Sequence, residues 1–159
     1  MAEQSATTIR LASEQDVAEV QRIYAETGLD GGNPLPAAAA RDIFARFSRY
    51  PSYRLWVAER DRTVVGTYAL MLMDNIAHSG RPLAVVEQVG VDRRMQGQGL
   101  GKLMMHHAMA EAERAGCYKL MLSSHVDRAD AHAFYDKLGF ERHGYGFIVT
   151  FADKLADAS

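Results

Sequence analysis

Between Gln88 and Lys102 the chain reads Gln88-Val89-Gly90-Val91-Asp92-Arg93-Arg94-Met95-Gln96-Gly97-Gln98-Gly99-Leu100-Gly101-Lys102, an order of residue types that describes an anion site. A β-branched run stops, a basic turn follows, glycines alternate with other residues, and a helical pattern begins. Such a junction leaves N–H groups unpaired at a helix N-terminus, where the helix dipole favours negative charge. Glycine lets backbone approach a ligand closely, so N–H groups from Gln96 to Gly101 are expected to cradle a phosphate, with Arg94 and Lys102 adding charge of the right sign. Spacing narrows whose phosphate it is. The dinucleotide fingerprint needs G-x-G-x-x-G, whereas Gly97, Gly99 and Gly101 stand at G-x-G-x-G. The P-loop needs a hydroxyl after its lysine to hold magnesium, and here Leu103 follows Lys102.

Just upstream, Glu87 puts a carboxylate into Ala84-Val85-Val86-Glu87-Gln88-Val89, a segment otherwise patterned as a buried strand. Lone charges are rarely left in such places. It is either a general base or a side chain that reaches the sheet edge to pair with an arginine. His78 lies in a polar loop where it could touch a substrate. His106 and His107 are neighbours on a helical segment and so point to different faces. No H-E-x-x-H or paired-cysteine spacing appears, so no metal site is expected. The single cysteine, Cys117, cannot form an internal disulfide, which fits a reducing cytosol, and it reads as an inert buried thiol. Met71, Met73, Met104 and Met105 read as core.

These residues need elements to position them. Ile9 to Ala12 reads as a strand. Ser13 then caps a helix, with Asp16 at the reciprocal position and Val17, Val20, Ile23 and Tyr24 as its apolar stripe, ended by Gly28. A loop from Leu29 to Pro36 leads to a helix, Ala37 to Ser48, facing inward through Ile43, Phe44 and Phe47. Tyr53, Leu55 and Val57 alternate as a strand, turned by Arg60-Asp61-Arg62 into another through Met73. A polar loop, Asp74 to Pro82, precedes the strand Leu83 to Val91, in which Gly90 marks either a bulge or close packing. A helix from Gly99 to Ala115, apolar at Leu100, Leu103, Met104, Ala108, Ala112 and Ala115, stops at Gly116. Tyr118, Leu120 and Leu122 alternate as a strand, Asp127 to Leu138 is a helix closed by Gly139, and Phe140 to Phe151 forms a final hairpin turned near His143-Gly144. The order predicts an α/β fold, a mixed sheet of about six to seven strands with flanking helices.

The 159 residues suit one domain spanning 1–159, with 1–8 and 153–159 as flexible ends. Apolar content of 48% and charged content of 24% are those of an ordinary soluble protein. A formal charge of −2 gives no long-range pull toward nucleic acid or anionic membrane, so the anion site must be local. The first residues lack the apolar core of a signal peptide, and the longest apolar stretch, Val64 to Met73, is too short to span a bilayer. A cytoplasmic location follows as the expectation.

The segment Arg94-x-x-Gly97-x-Gly99 and the later run Ala131-x-x-Phe134-Tyr135-x-x-x-Gly139-Phe140 together resemble the GNAT superfamily of N-acetyltransferases. The element order is similar to the GNAT fold over nearly the whole chain, most specifically from about Val85 to Phe147. The resemblance implies acetyl-CoA as co-substrate, its pyrophosphate on Gln96, Gly97, Gln98, Gly99, Leu100, Gly101 and Lys102 beside Arg94. It implies a pantetheine arm between two splayed parallel strands, Val89 to Val91 and Leu120 to Ser123. Glu87 becomes the general base, acting directly or through water, and Tyr135 the proton donor to the CoA thiolate. The oxyanion donor becomes a backbone N–H near Val89. His125 stands where many members carry a cofactor-binding asparagine, so it either donates in its place or faces solvent. Gly116-Cys117-Tyr118-Lys119 looks like glucosamine-6-phosphate N-acetyltransferases, and Val126-Asp127-Arg128 through Asp130-Ala131-His132 like aminoalkylphosphonate acetyltransferases. Both take small anionic amines, for which Arg54, Arg81, Arg128 or Arg142 are the candidate readers.

The function so implied moves acetyl to the primary amine of a small molecule by direct attack in a ternary complex, in a protein that the resemblance makes a homodimer. The alternatives are a protein N-terminal or lysine acetyltransferase and a non-catalytic acyl-CoA-binding module. Retention of both Glu87 and Tyr135 argues against the last.

Overall fold

The computed structural model describes residues 6–151. Two compact units divide the chain, residues 1–122 and 123–159. The first holds a five-stranded sheet in the order β1-β2-β3-β4-β5, made of β1 (Thr8–Leu11), β2 (Tyr53–Arg60), β3 (Thr63–Met73), β4 (Leu83–Val91) and β5 (Leu120–Met121). The first four are antiparallel neighbours and β5 joins β4 in parallel. Helices α1 (Val17–Thr27), α2 (Ala37–Arg46) and α3 (Leu100–Arg114) complete this unit.

Local chemistry explains the element ends. The Asp16 carboxylate accepts from the Ser13 N–H at 2.7 Å and from the Ser13 hydroxyl at 2.9 Å, the expected capping pair, with one 3-10 turn before α1 proper. Gly28 ends α1 at φ 76°, where a Cβ would be strained. Asp61 and Arg62 turn β2 into β3 with φ of 51° and 60°. Two left-handed residues give a hairpin the twist its strands need.

β3 is covered on both faces, and Val64 through Leu70 are all buried. On one face Val20 and Ile23 of α1 pack with Leu55, Val57, Val64 and Ala69, and Tyr24, Phe44, Phe47 and Tyr53 close over them. Methionines of α3 fill the other face: Met104 and Met105 are fully buried, and Gly66 makes room for the Met104 sulfur. The inward stripe of α3 is Leu100, Met104, Met105, Ala108 and Ala112, with Leu103 turned out, one position away from the sequence expectation.

In the second unit α4 spans Ala129–Lys137, shorter at both ends than expected. The hairpin expected over Phe140 to Phe151 is not formed: residues 140–151 carry no strand, and Tyr145, Phe147, Ile148, Val149 and Phe151 are exposed. Its apolar alternation satisfies the strand pattern, but an isolated two-stranded ribbon is marginal without a sheet to cover it. Five strands, not six to seven, are therefore present among the described residues, and β5 is two residues rather than five.

Candidate active site

Glu87 lies at a break in the β3–β4 ladder. Ala69 pairs with Glu87 and Thr67 with Gly90, so Gln88 and Val89 together face Tyr68 alone. Two residues against one is a β-bulge, and Gln88 takes φ 55° to make it. The bulge thus falls at Gln88, not at Gly90. Gly90 instead serves packing, since a Cβ there would come within 2.8 Å of the Ile23 Cγ2. The bulge also corrects the expectation that Glu87 is buried. Both Glu87 and Gln88 are exposed, while Val86 and Gly90 on either side are buried. The Tyr24 hydroxyl of α1 donates to the Gln88 Oε1 at 3.3 Å, which ties the bulge to the helix.

Beyond Glu87, β4 has a neighbour on one side only. Its pairing with β5 is confined to Ala84–Leu120 and Val85–Met121, so from Val86 to Val91 the second edge has no strand beside it among the described residues. A free strand edge presents N–H and C=O groups to whatever lies along it. Val89 and Val91 are on this stretch, half-buried, and the Val91 carbonyl accepts from the Gln96 side chain at 3.4 Å.

That edge runs into the glycine segment. Asp92, with no exposed surface, organises the turn: its carboxylate accepts from the Arg94 N–H at 2.9 Å and the Arg94 guanidinium at 2.7 and 3.1 Å. Arg22 of α1 reaches the same carboxylate at 3.0 Å. These bonds, led by Arg94, hold the Asp92 carboxyl well below the usual carboxylate range. Sequence reasoning passed over Asp92. The signal was present in the basic pair Arg93-Arg94 after it, but Arg22 arrives from 70 residues away.

Gly97 and Gly99 hold φ of 75° and 79°, and a Cβ on either would meet nothing within 4 Å. The Gly97, Gln98 and Gly99 N–H groups donate to no protein backbone acceptor among the described residues, and α3 begins at once with Leu100. Open space in front of unpaired N–H groups at a helix start fits a pyrophosphate. The Leu100 side chain is in the core and can offer only its backbone, whereas Lys102 is exposed. Arg94 rests on Asp92 with its side chain still 73% exposed.

In the second unit Tyr135 is half-buried on α4, edge-on to Phe134 at 5.1 Å and to Phe140 at 5.5 Å between ring centres. Burial raises its phenol above the ordinary value of 10. His125 is exposed, with its Nδ1 accepting from the Asp127 N–H at 3.3 Å.

The arginines proposed as anion readers all have partners. Arg54 donates to the carbonyls of Tyr50, Pro51 and Tyr53 at 3.0–3.2 Å, and Arg81 to that of Cys117 at 3.2 Å. Arg128 lies 3.8 Å from Asp130, and Arg142 is paired with Asp136 at 2.7 Å. His78 stacks on Tyr118 with ring centres 4.0 Å apart. A concavity of about 760 Å³ lined by Ser13, Gln21 and Arg41 lies against α1 and α2, and no residue named above for chemistry lines it.

Comparison with known proteins places the fold. The chain is 30% identical over 115 residues to the aminoalkylphosphonate N-acetyltransferase of Salmonella typhimurium strain LT2, covering 72% of this chain and 74% of that one. It is 35% identical over 80 residues to the glucosamine 6-phosphate N-acetyltransferase of Trypanosoma brucei brucei, half of this chain and 52% of that enzyme's length. Among solved structures, a provisionally named acetyltransferase from Agrobacterium tumefaciens str. C58 superposes with a TM-score of 0.85 at 29% identity, covering 91% of this chain and 99% of the other. The profile of the acetyltransferase (GNAT) family matches residues 17–140, and the chain belongs to that family.

Proposed function

We propose that this N-acetyltransferase moves acetyl from acetyl-CoA to the primary amine of a small molecule, by direct attack in a ternary complex. The observation that carries the reading is Glu87, an exposed carboxylate at a bulge where β4 has a free edge, five residues before Asp92 opens the turn into the glycine segment. The small-molecule acceptor is supported by the Salmonella and Trypanosoma relatives, whose named substrates are small amines.

In this mechanism the pyrophosphate rests on N–H groups from Gln96 to Gly101, with Lys102 and Arg94 beside it. The pantetheine arm lies along the free edge at Val89 and Val91. An alkylammonium has a pKa near ~10, so about one molecule in a thousand is the free nucleophile at neutral pH. Glu87 takes the proton, directly or through one water. The amine nitrogen then bonds to the thioester carbon, and a β4 N–H near Val89 donates to the oxygen that becomes negative. The C–S bond breaks as the tetrahedral intermediate collapses, and Tyr135 gives its proton to the leaving sulfur. A free thiol near ~8.5 and a free phenol near ~10 leave that transfer modestly uphill. Burial of Tyr135 widens the gap, so the proton moves only as the breaking C–S bond builds charge on sulfur. His125, whose side chain is 71% exposed, is the further cofactor donor in this reading. The same reading carries a cytoplasmic homodimer, checked by light scattering in solution.

The test is thiol release from acetyl-CoA across a panel of small amines, amino-sugar phosphates, aminoalkylphosphonates and lysine or N-terminal peptides. Turnover confined to small amines supports the proposal, and turnover confined to peptides overturns the acceptor class. Binding of acetyl-CoA without turnover on any amine would make the chain a binding module. No thermal stabilisation by acetyl-CoA would remove the co-substrate assignment.

A further inference from the structure

The sheet face that carries Glu87 carries a second chemistry. Tyr53 of β2 is registered with Met71 of β3, and Met71 with Val85 of β4, while Leu55, Ala69 and Glu87 form the next row. Residues two apart on a strand share a face, so Tyr53 and Glu87 lie on the same side, two strands apart and one row offset. The Tyr53 ring is tilted against Phe47, 4.8 Å between centres, and stands at 85° to Tyr50 at 6.1 Å. Two tyrosine rings at right angles form a corner, one half-buried and one 56% exposed. Arg54 fixes its shape, because its guanidinium bonds the carbonyls of Tyr50, Pro51 and Tyr53, the turn that bears both rings. The Glu87 charge reaches this corner: after burial, it is the main influence that raises the Tyr53 phenol above 10.

A cation within about 6 Å of a ring centre is drawn to the ring face, more so as water is excluded. We propose that the Tyr50–Tyr53 corner, with Glu87 on the same sheet face, seats the acceptor as its ammonium before Glu87 removes the proton. The corner offers ring faces and a carboxylate, and the guanidinium beside it holds the turn. The acceptor class it selects is therefore an alkyl- or aralkylamine, recognised by positive charge and apolar surface rather than by a phosphate. This rests on the N-acetyltransferase reading, but the binding step can be tested without turnover.

The probes are choline and 3,3-dimethyl-1-butanol, its uncharged isostere, titrated against the full chain by NMR of the tyrosine rings. Choline is expected to shift Tyr50 and Tyr53 and to bind about tenfold or more tighter than the alcohol. Tyr53→Phe keeps a ring face and should keep choline affinity within about twofold. Tyr53→Leu should weaken it about tenfold while acetyl-CoA still stabilises the protein. If Tyr53→Leu does not fold, Tyr50→Leu at the exposed ring takes its place. Equal binding of choline and the alcohol would overturn the proposal, as would unchanged choline affinity in a folded leucine variant. With an active acceptor from the amine panel, choline should compete with the amine and not with acetyl-CoA. Choline binding at the corner without turnover on any amine would instead remove the enzymatic reading and leave the cation site standing.

Discussion

A carboxylate held exposed on a strand flanked by buried residues can be removed without harming the core, and this separates chemistry from folding at Glu87. Glu87→Gln is expected to lower kcat by about 10²–10⁴, the usual range for losing a general base. Stability should change by no more than about 0.5 kcal/mol, as for surface substitutions generally. Urea unfolding and acetyl-transfer assays on one preparation check both. Tyr135 makes a different case, because its phenol is shifted upward by burial. A raised pKa keeps the proton on the donor across the whole neutral range and past pH 10. Tyr135→Phe should therefore depress kcat at every pH without moving the alkaline limb of the profile. A limb that shifts in the variant would mean that the phenol itself titrates there and is not the poised acid described above.

Glycines at the element joints act by two distinct means. At Gly90 an added methyl would meet the β-branched Ile23 at 2.8 Å, and Leu29 lies 3.4 Å away, so neither the strand nor α1 yields easily. Gly90→Ala should cost about 1–3 kcal/mol, a drop of several degrees in Tm, as overpacking does. At Gly66 the nearest atom is the Met104 sulfur at 2.9 Å, the end of a flexible side chain, and Gly66→Ala should cost less. A calorimetric ranking of the two variants decides the point. Gly97→Ala meets no atom and acts only through its left-handed backbone, worth roughly 1–2 kcal/mol, so weakened acetyl-CoA binding should exceed any fall in Tm. Features of this local kind were legible in the sequence: the Ser13–Asp16 cap, the Gly28 stop and the glycine loop each depend on residues a few positions apart. The bulge was not, because it exists only in the register of β4 against β3, which no single strand encodes. The exposure of Glu87 and the partnering of Gln88 by Tyr24 followed the bulge out of view. The strand pattern in 145–151 misled for the complementary reason, since alternation states a preference for pairing and does not supply the partner.

Across the first unit, charged groups tie distant segments together and set how it should respond to acid. Arg10 of β1 bonds Asp16 at the start of α1 and also Glu59 of β2, and Asp92 gathers Arg22 of α1 with Arg94 of the glycine segment. The Asp16 carboxyl is held down at about 2 against an ordinary 3.8, chiefly by Arg10, and Asp92 is depressed in the same direction. A depressed carboxylate contributes stability that is complete above its unfolded pKa and is lost as pH falls through the folded one. His107 adds an earlier step. It hydrogen-bonds the buried Tyr68 hydroxyl through Nδ1 at 2.7 Å, and burial lowers its pKa below 6.5. Protons bind it more readily in the unfolded chain, so stability should begin to fall as pH drops below about 6.5. Urea unfolding from pH 8 to pH 2 should show a shallow decline below 6.5 and a steeper one between 3.8 and about 2. Asp16→Asn should lower stability at pH 7 and flatten the steep step. Asp92→Asn should cost about 3 kcal/mol at pH 7, because it leaves two guanidiniums around a buried amide. It should also weaken acetyl-CoA binding, since the same carboxylate fixes the turn that leads into the glycine segment. A variant that loses stability but binds acetyl-CoA as tightly as the parent would show that this turn is shaped by its glycines alone.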